Sequence, residues 1–101
     1  MSKMDSESRL KIPADLLKKI GWSLPLEIAI CYDFSSKTLT ICNSSDIVNK
    51  NVIAIRKVDQ TGRFILPKES FSLLGVNKDS EFLIYLRNND FIIRDMTKIG
   101  I

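Results

Sequence analysis

Asp59-Gln60-Thr61-Gly62-Arg63-Phe64-Ile65-Leu66-Pro67, closed eight residues later by Gly75, decides the fold, because the chain says much the same thing 54 residues earlier. Asp5 aligns with Asp59, Arg9 with Arg63, Pro13 with Pro67, Gly21 with Gly75, Glu27 with Glu81 and Ile30 with Ile84. The pairs Ile12/Leu66, Asp15/Glu69 and Ile20/Leu74 differ conservatively. Self-similarity of this length makes each copy one supersecondary unit and obliges the two to share a core.

Working outward from the turn, residues 52–58 (Val-Ile-Ala-Ile-Arg-Lys-Val) are β-branched and apolar and read as a strand. Asp59 to Gly62 closes a turn in which Asp bonds nearby amides and Gly takes positive φ. Arg63 to Leu66 is the returning strand. Pro67 stops it, lacking a ladder donor, and opens a helix over Lys68 to Leu74 that Gly75 caps. Glu81 to Leu86 and Phe91 to Arg94 read as strands around Asn88-Asn89, a pair suited to a type I′ turn. The first copy repeats the plan: a strand from Arg9 to Ile12, Pro13, a helix over Ala14 to Ile20, Gly21, then strands from Leu26 to Phe34 and Lys37 to Cys42. Its opening strand is shortened to Met1–Met4. Each unit is therefore ββαββ, spanning 3–42 and 52–96, with the polar residues 43–51 as linker. A lone hairpin is marginal, so the two units must interlock in one domain over residues 1–101.

Size and composition agree with this. The chain has 101 residues, 45% of them hydrophobic, which is one ordinary domain. No apolar run approaches the roughly 20 residues of a membrane span, and the N-terminus is polar, so a cytoplasmic protein with no membrane partner is expected. Cys31 and Cys42 lack metal-ligand spacing and lie in apolar runs, as buried free thiols do in a reducing compartment. Histidine is absent. That removes Ser-His-Asp and Cys-His pairs, histidine-bound zinc and the usual base near neutral pH, so an enzyme is not expected, nor a metal or other cofactor. Phosphate-loop glycines are missing too. The net charge of +3 permits an anionic partner without demanding one.

Charge position is more telling. Arg56, Lys57 and Arg63 cluster along the second copy's first hairpin, and Arg9 and Lys11 occupy the matching place in the first. Guanidinium forks bind phosphates, or guanine O6 and N7, and a strand ribbon fits the major groove. The competing reading is that Asp-x-x-Gly only closes a hairpin and the arginines are solvated. Asp5 and Asp59 have a turn-building role in either case, and each is close enough to Arg9 or Arg63 to restrain it by an ion pair. Trp22, Tyr32, Tyr85 and Phe91 read as packing residues.

The run from Arg56 to Pro67, the helix ending in Leu74-Gly75-Val76 and the closing hairpin resemble the swapped-hairpin DNA-binding domain of AbrB- and SpoVT-type bacterial regulators. The resemblance covers residues 52–96, and residues 5–41 match more weakly. Two Asp-x-x-x-Arg turns in one chain are also similar to MraZ, a regulator with two such modules, although this chain is shorter and lacks the long helical insertions. The resemblance implies a mainly β fold with two short helices, a double-split β-barrel in which two ββαββ units exchange hairpins. It also implies a sequence-specific regulator of transcription that binds double-stranded DNA through Arg56, Lys57, Arg63, Arg9 and Lys11, with Asp59, Gly62 and Asp5 orienting them.

Two departures stand out. The helix that carries arginines in the family has Phe71 and Ser72 in the second copy and Lys18 and Lys19 in the first, so these lysines join the candidates. Ser8 stands where the second copy has Gly62, which requires a different turn or a strained residue. A homodimer is expected, with a single-chain pseudo-dimer as the other arrangement. The alternative function is an antitoxin-like or structural interaction module with a MazE-like barrel, although such an antitoxin extends into a toxin-binding tail and six residues follow Asp95 here.

Overall fold

Pro13 and Pro67 each end a strand and begin a helix, and each helix is stopped by a glycine in the left-handed region, Gly21 at φ 76° and Gly75 at φ 67°. In the computed structural model, which describes residues 2–4, 8–44, 51–77 and 80–96, these four residues frame α1 (Ala14–Ile20) and α2 (Lys68–Leu74) with the bounds expected from sequence. Asp15 and Glu69 lie in the first turns, where the helix dipole favours negative charge.

Among the described residues eight strands accompany the helices, so the fold is mainly β: β1 (Ser2–Lys3), β2 (Arg9–Lys11), β3 (Leu26–Asp33), β4 (Thr38–Asn43), β5 (Val52–Val58), β6 (Arg63–Ile65), β7 (Glu81–Arg87) and β8 (Asp90–Asp95). Six form one antiparallel sheet in the order β1-β7-β8-β4-β3-β5, and β2 pairs with β6 in a separate ribbon. Interchanging the halves, so that β1 becomes β5, β2 becomes β6, β3 becomes β7 and β4 becomes β8, returns the same order read backwards. The hairpin β3–β4 borders β5, and the hairpin β7–β8 borders β1. At the centre β4 meets β8 with Thr40 opposite Ile92. Hydrogen bonding leaves the six-stranded sheet open, with β1 and β5 at its edges.

One core lies between this sheet on one side and the ribbon and helices on the other. Leu10 and Phe64 from the ribbon, Leu17 and Leu74 from the helices, and Ile28, Ile30, Leu39, Ile41, Phe82, Phe91 and Ile93 from the sheet belong to a single buried cluster. Truncating one of its fully buried aromatics to alanine costs about 3–5 kcal/mol by general experience of such cavities. Trp22, just past Gly21, packs edge-to-face on Phe91 with ring centroids 5.0 Å apart. Ala29, Cys31 and Cys42 form a small second cluster with Val52 on the reverse face of the sheet. Both thiols are buried and unbridged, their sulfurs 3.8 Å apart.

Two local expectations change. Of Asn88 and Asn89 only Asn88 has positive φ, at 56°, so the turn is not type I′, which requires it at both residues. Lys37, expected to start a strand, sits in the preceding turn at φ 57° and bonds back from its N–H to the Asp33 carbonyl at 2.8 Å. Residues 45–50 of the expected linker lie outside the described residues, as does Asp5.

Candidate nucleic-acid interface

The candidate surface is built on the turn between β5 and β6. One carboxylate oxygen of Asp59, Oδ1, accepts from the Thr61 N–H at 2.9 Å, the Thr61 hydroxyl at 2.6 Å and the Arg63 N–H at 3.0 Å. These bonds, the Thr61 hydroxyl foremost and the Arg63 amide next, hold the Asp59 carboxyl below its ordinary pKa. The Gly62 N–H closes the turn on the Asp59 carbonyl at 3.0 Å. The expected Asp59–Arg63 ion pair takes another form. Asp59 grips the main chain of Arg63, while the Arg63 guanidinium donates from Nη1 to the Thr61 hydroxyl at 3.2 Å. Asp59 therefore aims the arginine through Thr61, a residue that the sequence reading did not single out although it stands midway between them.

In the ribbon Arg9 faces Ile65, Leu10 faces Phe64 and Lys11 faces Arg63. Alternation along a strand sends Leu10 and Phe64 into the core, so Arg9, Lys11, Arg63 and Ile65 share the outward face. Lys11 and Arg63 are direct cross-strand neighbours, with Cβ atoms about 5 Å apart in such pairs. Two like charges so placed destabilise a ribbon unless something anionic lies across them. Ile65 is 50% exposed among these cations.

The helix that carries Lys18 and Lys19 lies against the same turn. A Cβ built on Gly62 would lie 3.2 Å from the Ile12 carbonyl oxygen, 3.4 Å from Leu17 Cδ1 and 3.9 Å from Lys11 Cγ. The first copy's helix thus lies against the second copy's turn, and Lys18 and Lys19, both exposed, ride on it. The turn of one copy and the helix of the other therefore lie side by side. The spacing of residues along the chain placed them in separate halves.

Arg56 and Lys57 do not share a surface. Adjacent residues of a strand point to opposite faces, and the register sets Arg56 beside Ile28 on the core side and Lys57 beside Glu27 on the reverse side. The Arg56 guanidinium donates to the Ile55 carbonyl at 2.9 Å. Arg56 is on the side of the sheet where the ribbon lies; Lys57 is not. Arg56 and Lys57 therefore do not act together on one surface, while Lys11 and Arg63 sit side by side at one end of the ribbon and Arg9 lies at its other end.

The reverse face carries an open groove of about 620 Å³, lined among others by Cys31, Asp33, Thr40, Arg87, Asp90 and Ile92. With two carboxylates, Asp33 and Asp90, against one arginine in its lining, it suits a polyanion far less than the ribbon does. Among the described residues no helix is long and apolar enough to cross a membrane, and no group of three or more His, Cys, Asp or Glu stands ready to hold a metal ion. No protein-family model matches the chain, and neither does any curated protein.

Proposed function

We propose that this chain is a sequence-specific, double-stranded DNA-binding regulator of transcription of the AbrB/SpoVT type, a binding module and not an enzyme, acting in the cytoplasm. Its two ββαββ units exchange hairpins to build a double-split β-barrel. The exchange is supported by the sheet order, in which each unit's long hairpin borders the other unit's opening strand. β5 touches β6 and β1 touches β2, which brings the sheet and the ribbon around one core. The pairings favour the single-chain pseudo-dimer over a homodimer, since both hairpins have their partner strand within the chain.

The observation that carries the DNA reading is Lys11 opposite Arg63 on an exposed two-stranded ribbon whose other face is fully buried. A ribbon has the width to enter a major groove, and the phosphates flanking it relieve the charge repulsion. Arg63, held by Thr61, is the residue for a guanine edge or a phosphate, and Lys18 and Lys19 are suited to the neighbouring backbone.

Fluorescence anisotropy with promoter-region duplexes tests this. Replacing Lys11 and Arg63 together by Ala lowers affinity about tenfold or more, while Lys37→Ala in the turn between β3 and β4 leaves it unchanged. Full affinity in the double variant would sink the proposal. Co-purification with a small toxin at fixed stoichiometry, without DNA binding, would favour the antitoxin-like alternative.

A further inference from the structure

The two poles of the ribbon share a backbone and differ in chemistry. The Ile12 N–H donates to the Gly62 carbonyl at 2.9 Å, and its counterpart 54 residues on, the Leu66 N–H, donates to the Ser8 carbonyl at 3.1 Å. Ser8 at φ 62° reproduces the left-handed conformation of Gly62 at φ 85°. The main chain is thus nearly two-fold symmetric across Leu10 and Phe64.

The side chains break that symmetry: only Lys68, where the first copy has Ala14, adds a cation to the second copy's helix, and the remaining differences run the other way. At the Gly62 pole stand Lys11 and Arg63, and the helix whose Leu17 touches that turn carries Lys18 and Lys19 on exposed positions. The equivalent positions of the other half hold Ile65, Arg9, Ser72 and Leu73. Four cations correspond to one cation, a hydroxyl and two aliphatic side chains. Ile65 matters most, because it is half exposed on a face that otherwise offers cations. An aliphatic side chain gains nothing from a phosphate. On the floor of a major groove, the apolar group within reach is the C5 methyl of thymine.

Two equal poles would read a palindrome; these are unequal. Resting on the DNA reading above, we infer that the chain recognises a non-palindromic duplex site, with the Lys11–Arg63 pole anchored on phosphates and guanine edges and Ile65 at the opposite pole set against a thymine methyl. Ile65 is then the specificity residue of the weaker half-site, and Lys11, its symmetry mate, supplies charge instead.

Selection from a random-sequence duplex pool, followed by binding to the enriched duplex with its thymines replaced one at a time by deoxyuracil, tests this. The expected consensus has unequal halves, and one uracil replacement, which removes only a methyl group, weakens wild-type binding several-fold while leaving Ile65→Ala unaffected. Ile65→Lys, which copies the Lys11 chemistry, is expected to shift the consensus towards a palindrome and to steepen the salt dependence by about one ion. A palindromic wild-type consensus, or uracil replacements that are all neutral, would overturn the inference. A pool in which duplex is bound but nothing is enriched would overturn sequence-specific recognition, and with it this inference. Failure to bind any duplex would overturn the DNA reading itself.

Discussion

Ser8 and Gly62 occupy equivalent turns with φ of 62° and 85°, and only one of them is glycine. For Gly62 the added Cβ of alanine meets both left-handed strain and the Ile12 carbonyl oxygen at 3.2 Å, so Gly62→Ala is expected to destabilise by about 1–3 kcal/mol. Ser8→Gly should stabilise by about 1 kcal/mol, because the left-handed region costs a serine what it does not cost a glycine. Urea unfolding of the two variants measures both, and effects of the same sign would contradict this account of the turns. Asp59 gives a pH signature. Its carboxyl titrates lower in the folded chain than in the unfolded one, so its contribution is complete above about pH 4 and fades as pH falls through the folded value. Asp59→Ala therefore has a lower thermal midpoint than wild type at pH 7, and the difference narrows at pH 3. Asp33, whose Oδ1 accepts from the Ser35 N–H at 2.9 Å and the Ser35 hydroxyl at 2.6 Å, builds the same kind of turn between β3 and β4. Its pKa is lowered for the same reason, first by the Ser35 hydroxyl.

Among the elements, the ribbon of β2 and β6 sets stability against binding. Its inner face, Leu10 and Phe64, is fully buried, and its outer face opposes Lys11 to Arg63. Removing one charge relieves the repulsion, so Lys11→Thr, a strand former of neutral charge, is expected to raise stability by about 0.2–1 kcal/mol while weakening DNA binding. Chemical unfolding and anisotropy on the same preparation separate the two effects. A variant that loses stability and affinity together would assign Lys11 a structural role. The helices show why their bounds were readable from sequence and their company was not. Pro13 with Gly21 and Pro67 with Gly75 delimit α1 and α2 by local backbone chemistry, which acts wherever the segment lies. That α1 rests against the Gly62 turn is a long-range outcome of tertiary packing, and no local signal carries it.

At the scale of the whole molecule, the 54-residue repeat was legible because identical turn and cap chemistry must recur for identical backbone, and the ββαββ order of each half follows from it. Which strand borders which hairpin was not, since β3 is as well suited to an opening strand of its own unit as to β5. The same long-range pairing explains the revised site. Arg56 and Lys57 are adjacent in sequence but on opposite faces of β5, whereas Lys11 and Arg63, 52 residues apart, are direct neighbours. Exposure of Ile65 follows from its alternation with buried Phe64, a period that three residues of strand are too few to establish from sequence. Because both hairpins find their partner strands within one chain, light scattering is expected to give the monomer mass of 11.5 kDa, and a stable dimer would show that an edge strand recruits a second copy. The central claim, that the Lys11–Arg63 pole holds duplex phosphates, is tested most directly by the salt dependence of binding to one duplex. Wild type is predicted to lose affinity linearly in log K against log salt, with a slope about two ions steeper than that of the Lys11→Ala, Arg63→Ala double variant. Equal slopes for the two proteins would contradict it.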